Sequence, residues 1–124
     1  MNKFHLITDE DAIIVSELLL KSSISSFYEY KFDKIQRYHY DEQEGCDAEE
    51  TIDVYFKAIV SNDLYKSSGW KDHQVMIKLI EHDRYHDHSY FYGQKKYDNK
   101  NNWEYMFLSN HIEAIKFLLS KHYI

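Results

Sequence analysis

Residues 80–93, IEHDRYHDHSYFYG, hold the densest set of side chains able to do chemistry: His82, His86 and His88 with Asp83 and Asp87. On a helix, His82 and His86 would lie one turn apart on the same face. That is the spacing of the HExxH zinc-protease motif, with Asp83 in the glutamate position. Zinc would need a third ligand and a carboxylate to hold each imidazole. His111 or Glu113 is available for the first role, and Asp83 or Asp87 for the second. Aspartate, however, is shorter than the glutamate that must reach a metal-bound water, and the window is polar on all sides. The segment therefore reads first as a solvated helix end that holds no cofactor. A metal site on His82 and His86, structural or in a small zinc-dependent enzyme, is the alternative.

Other routes to catalysis are poorly supplied. Cys46 is the only cysteine and sits among acidic neighbours, which raise a thiol's pKa and blunt it as a nucleophile. The three glycines, Gly45, Gly69 and Gly93, stand alone, so no phosphate-cradling loop is present. No GxSxG elbow occurs. Carboxylates are many, but none sits in an apolar setting that would single it out as a general acid. The expectation is a protein that is not an enzyme.

The stretch YDEQEGCDAEETID (40–53) is the stronger lead. It carries Asp41, Glu42, Glu44, Asp47, Glu49, Glu50 and Asp53 with no lysine or arginine, and Tyr38, Tyr40 and Tyr55 flank it. Carboxylates steer a basic partner into encounter, and tyrosines anchor it at low entropy cost. The plainer reading is an acidic loop leading into an acid-biased first helical turn. The whole chain has 12 tyrosines and a formal net charge of −6, which argues against a nucleic-acid partner.

The elements that position these residues are read from periodicity. The chain has 124 residues, no proline and no linker, and is taken as one domain over 1–124. A single cysteine points to a reducing, cytoplasmic setting. The opening MNKFHLITDEDA carries charge from residue 3, unlike a signal peptide. No apolar run approaches the roughly 20 residues of a membrane span. Four segments show helical spacing. The first starts at Thr8, with Asp11 three residues on, and places Ile14, Val15, Leu18 and Leu19 on one face. The second starts at Asp47, with Ala48, Ile52, Tyr55, Phe56, Ile59 and Val60 as its stripe. A third starts near Asp72 and carries Val75, Met76, Leu79 and Ile80. A fourth starts near Asn110 and carries Ile112, Ile115, Leu118 and Leu119, with Lys116, Lys121 and His122 towards its end. FYEYKFDKI (27–35) fits strand or helix. Residues 88–109 fit a hairpin around 98–102 or a loop with a short helix. The fold expected is mainly α, a small bundle of four to five helices with at most one short β-hairpin; α+β is the alternative. The glycines are expected at turns.

Two resemblances are worth recording. SNHIEAIKFLLSK (109–121) resembles the second helix of an ankyrin repeat, but no TPLH-type helix precedes it and nothing repeats at the period of about 33 residues. EH (81–82), then SYFYG (89–93), then SNHIEAIKFLL resembles the segment before the last helix in colicin DNase immunity proteins. Both prolines of that pattern are missing and the intervening loop is longer. The resemblance implies that Tyr90 and Tyr92 face a partner. The chain is accordingly expected to be an immunity- or antitoxin-type inhibitor. Its acidic, tyrosine-rich surface would cover a basic protein such as a nuclease toxin, with no membrane partner. An adaptor or host-interaction protein using the same surface is a further alternative.

Overall fold

The computed structural model describes residues 7–22, 27–40, 49–84, 88–97, 103–106 and 111–123; positions 22, 40, 49, 81–84, 88–97 and 103–106 are described by backbone alone. Helix α1 (Asp9–Ser22) is followed by strands β1 (Tyr28–Tyr40) and β2 (Glu49–Val60) and the short helix α2 (Asp63–Ser67). Strands β3 (His73–Arg84), β4 (His88–Tyr97) and β5 (Trp103–Met106) come next, and helix α3 (Ile112–Ser120) closes the order. The strands form one antiparallel sheet in the order β1-β2-β3-β4-β5, a simple meander. The protein is therefore α+β. The expected mainly α bundle of four to five helices, and the all-α description with it, is overturned.

The error has a physical source. The segments expected as the second and third helices are β2 and β3. In β2, Ile52, Val54, Phe56 and Ala58 alternate towards the core, and in β3 Val75, Ile77 and Leu79 do the same. Met76 and Ile80, on the opposite side of β3, are buried too. A central strand covered on both sides has apolar residues at i+3 and i+4 as well as i+2, so its pattern imitates a helix. The β-branched content of β2 favours the pleated form. All of FYEYKFDKI but Phe27 is strand and lies in β1, and residues 88–97 and 103–106 pair as β4 and β5.

Helices α1 and α3 are local products of their sequence. The Thr8 hydroxyl accepts a bond from the Asp11 N–H at 3.1 Å, and Asp9, Glu10 and Asp11 complement the positive helix end. The buried face is Ala12, Val15, Ser16, Leu19 and Leu20, rotated from the expected one: Ile14 is exposed. Helix α3 buries Ala114 and Leu118, while Ile112 and Leu119 of its expected stripe are exposed. It ends in a Schellman motif. His122 takes φ 63, its N–H bonds to Leu119 O, and the Tyr123 N–H bonds to Leu118 O. That reversal turns Tyr123 into the core, where its hydroxyl donates to Asp11 Oδ2 at 2.5 Å. Arg37 joins β1 to the start of α1, donating to Ile7 O at 2.5 Å and to Asp9 Oδ1 at 2.7 Å.

Of the three glycines, Gly69 does make a turn: its φ of 99 lies where a side chain is strained. Gly93 sits inside β4, opposite Leu79. Gly45 lies outside the described residues.

Candidate functional site

The pairing register sorts the sheet into two sides. Tyr28, Tyr30, Ile35 and Arg37 of β1 stand opposite Val60, Ala58, Val54 and Ile52. This is the side that joins α1 and α3 in the core. The other side carries three rows. Tyr38, Thr51, Ile80 and position 92 form the first; Gln36, Asp53, Lys78 and position 94 the second; Lys34, Tyr55, Met76 and position 96 the third. Position 40 opposite 49, and position 90 opposite 82, extend the same side. Tyr38, Tyr40, Tyr55, Tyr90 and Tyr92, scattered over 55 positions of sequence, therefore stand on one side of one sheet.

Tyr38 is 41% exposed, and its hydroxyl donates to Gln36 Oε1 at 2.7 Å. Tyr55 is half-buried, with the Lys34 ammonium 4.6 Å from its ring centre, a cation–π contact. Asp53 lies between them, diagonal to Tyr38 across the strand pair. It is only 5% exposed. Its Oδ1 has no hydrogen-bond partner among the described residues. The Lys78 Nζ approaches it only to 3.7 Å, beyond hydrogen-bond length. Burial pushes the Asp53 carboxyl above its ordinary range, and the nearby Lys78 opposes but does not cancel that shift. The Tyr55 hydroxyl is likewise held up by burial first, then by Asp53 and Tyr38. Tyr55 is thus the group that senses both of its neighbours.

The acidic candidates divide. Asp53 is buried and cannot act as a steering surface charge. Glu50 faces the helix side of the sheet, its Oε1 3.1 Å from His39 Nδ1. Glu49 and Tyr40 are the paired ends of β2 and β1. Asp41, Glu42, Glu44 and Asp47, like Cys46, fall outside the described residues. They belong to segment 41–48, between β1 and β2 in sequence.

The histidine cluster loses its helical premise. His82 and Asp83 are on strand β3 and His88 begins β4, while His86 and Asp87 lie outside the described residues. Among the described residues no group of three His, Cys, Asp or Glu side chains is placed to hold a metal ion. His111, offered as a remote ligand, precedes α3, and burial lowers its pKa. No helix among the described residues is long and apolar enough to cross a membrane.

Elsewhere, an open groove of about 450 Å³ runs between α1 and β1, lined by Glu17, Lys21, Tyr28, Glu29, Tyr30 and Lys31. Its charges are mixed and nothing converges in it. At the α2 end, Phe27 stacks on Trp70 at 4.5 Å and meets Tyr65 edge-on at 4.8 Å.

Gln36, Lys34 and Lys78 had no part in the sequence reading. Only strand register brings them beside Asp53, and residues 17 to 25 positions apart in sequence give no local signal of that. Compared with protein-family models, with curated proteins and with solved structures, the chain matches none.

Proposed function

We propose that this protein is a non-enzymatic, cytoplasmic binding protein of the immunity or antitoxin kind, which covers a basic protein partner such as a nuclease toxin. The contact surface is the side of the sheet turned away from α1 and α3. One observation carries this reading: the five tyrosine positions singled out as anchors share that side. Large rings with a polar tip suit a recognition surface, and Tyr38 is exposed on this side. The carboxylates of segment 41–48, which follows Tyr40 in sequence, supply the charge that steers a basic partner. The single cysteine fits a reducing cytoplasm.

Co-expression with the product of the adjacent gene, followed by affinity capture at low and at high salt, tests the reading. A single basic partner released by salt is expected. It should be lost from the double variant Tyr38→Ala/Tyr55→Ala without loss of that variant's fold. Capture of no partner, or capture indifferent to both tyrosines, sinks the proposal.

A further inference from the structure

Gln36 and Tyr38 stand two residues apart on β1, the first strand of the sheet order, and both are exposed. An irregularity of the strand brings them to the side turned away from α1 and α3. The register of β1 slips by one residue between Phe32 and Lys34. Before the slip the even-numbered Tyr28 and Tyr30 stand on the helix side, and after it the odd-numbered Ile35 and Arg37 do. Side chains alternate along a strand, so without the slip Gln36 and Tyr38 would face the helices.

The Tyr38 hydroxyl donates to Gln36 Oε1 at 2.7 Å. A carbonyl oxygen can only accept, so this bond fixes the direction of the hydroxyl proton. With its proton turned along the strand, the Tyr38 oxygen offers lone pairs to whatever docks on it. A hydroxyl that already donates one bond is polarised and accepts another more strongly. One row away, the same side of the sheet shows a cation on a tyrosine, with the Lys34 ammonium 4.6 Å from the ring centre of Tyr55.

Resting on the inhibitor reading above, we infer that Gln36 is a positioning residue for Tyr38, which it makes a hydrogen-bond acceptor for a lysine or arginine side chain of the basic partner. Both of those side chains carry donors and no acceptor. A hydroxyl with its proton turned outward would set donor against donor. The same arrangement disfavours a carboxylate, which would bring acceptor against acceptor, so Gln36 selects basic over acidic partners.

Two measurements test this. The first uses the free protein, isotope-labelled at the tyrosine ring carbon that bears the hydroxyl, and follows the Tyr38 resonance, assigned by its absence from Tyr38→Phe. Gln36→Met removes the acceptor, whereas Gln36→Glu supplies a stronger one. The two variants should move the resonance in opposite directions from wild type. A resonance indifferent to both, or moved the same way by both, overturns the inference.

The second is a double-variant cycle on the affinity of the captured partner at fixed salt. Tyr38→Phe should weaken binding by about tenfold, as for loss of a bond to a charged group. Gln36→Met should weaken it by about threefold in the wild-type background and not at all in the Tyr38→Phe background, since it acts through the hydroxyl alone. Additive losses, or a Tyr38→Phe variant that binds as wild type does, overturn the role of Gln36 and leave the inhibitor reading standing. If wild type captures no partner, that reading falls and the acceptor role falls with it.

Discussion

The two sides of the sheet are buried to similar depth at their centres, yet they are made of different chemistry. On the helix side Val54, Phe56, Val75 and Ile77 meet Val15, Leu19, Leu20 and Leu118 in a continuous apolar core. On the other side Thr51 and Asp53 are as inaccessible as many core residues, with Met76 and Ile80 buried beside them, but Gln36, Lys78 and two tyrosines share that side. The first side is an arrangement that only has to exclude water. The second buries polar groups, among them an Asp53 oxygen with no hydrogen-bond partner among the described residues. Burial alone does not mark a core. A buried carboxylate oxygen without a bond among the described residues sets the second side apart from the apolar core.

This contrast can be broken by measurement. The largest effect is expected from Phe56→Ala, which should cost about 3–5 kcal/mol in chemical denaturation because it opens a cavity in the helix-side core. Its neighbour in sequence, the half-buried Tyr55, stands on the other side, and Tyr55→Ala should cost less than Phe56→Ala while abolishing partner capture. Equal costs for the two would mean that both sides are core.

Next in size, Tyr123→Phe removes the hydroxyl bond to Asp11 that fastens the end of α3 to α1, and should cost about 1.5–3 kcal/mol, as for other bonds to charged groups. Urea midpoints of wild type and variant decide this. No change would mean that the ring alone docks α3.

Asp53→Asn sharpens the comparison because its sign is opposite. Burial raises the folded-state pKa of Asp53, so the folded protein binds that proton more tightly than the unfolded chain does. The stability this contributes is full below the unfolded value of about 3.9 and is lost as pH rises through the higher folded value. The asparagine variant escapes that loss. It should be more stable than wild type at neutral pH, the advantage fading as the solution is acidified through that window. A variant less stable than wild type at neutral pH would make the Asp53–Lys78 pair a structural bond. The smallest effect is expected at Gly69, on neither side: alanine there meets no atom within 4 Å, so only the backbone strain at φ +99 remains, about 1 kcal/mol. Thermal melts read it.

What was legible in the sequence was local. Thr8 announces α1 because a hydroxyl bonding to an N–H three residues on is a short-range event. Helix α3 is legible for similar reasons, since nine residues of compatible spacing end in a turn that needs no distant partner. Even there, the buried faces were misjudged at Ile14, Ile112 and Leu119, because which stripe is covered depends on what packs against it. Strands β2 and β3 were not legible, since residues buried on both sides of a sheet lose the two-residue period that marks a strand.

The candidate site shows the same division. By itself the sequence determined that tyrosines and carboxylates are abundant, that no assembled catalytic motif is present, and where two helices begin. It could not say that Tyr38, Tyr55 and the positions of Tyr90 and Tyr92 share one side of a sheet, nor that Asp53 is buried. Only tertiary structure decided that, because the side on which a strand residue falls is set by register with its neighbours, and a shift of a single residue would send every one of these side chains to the opposite side.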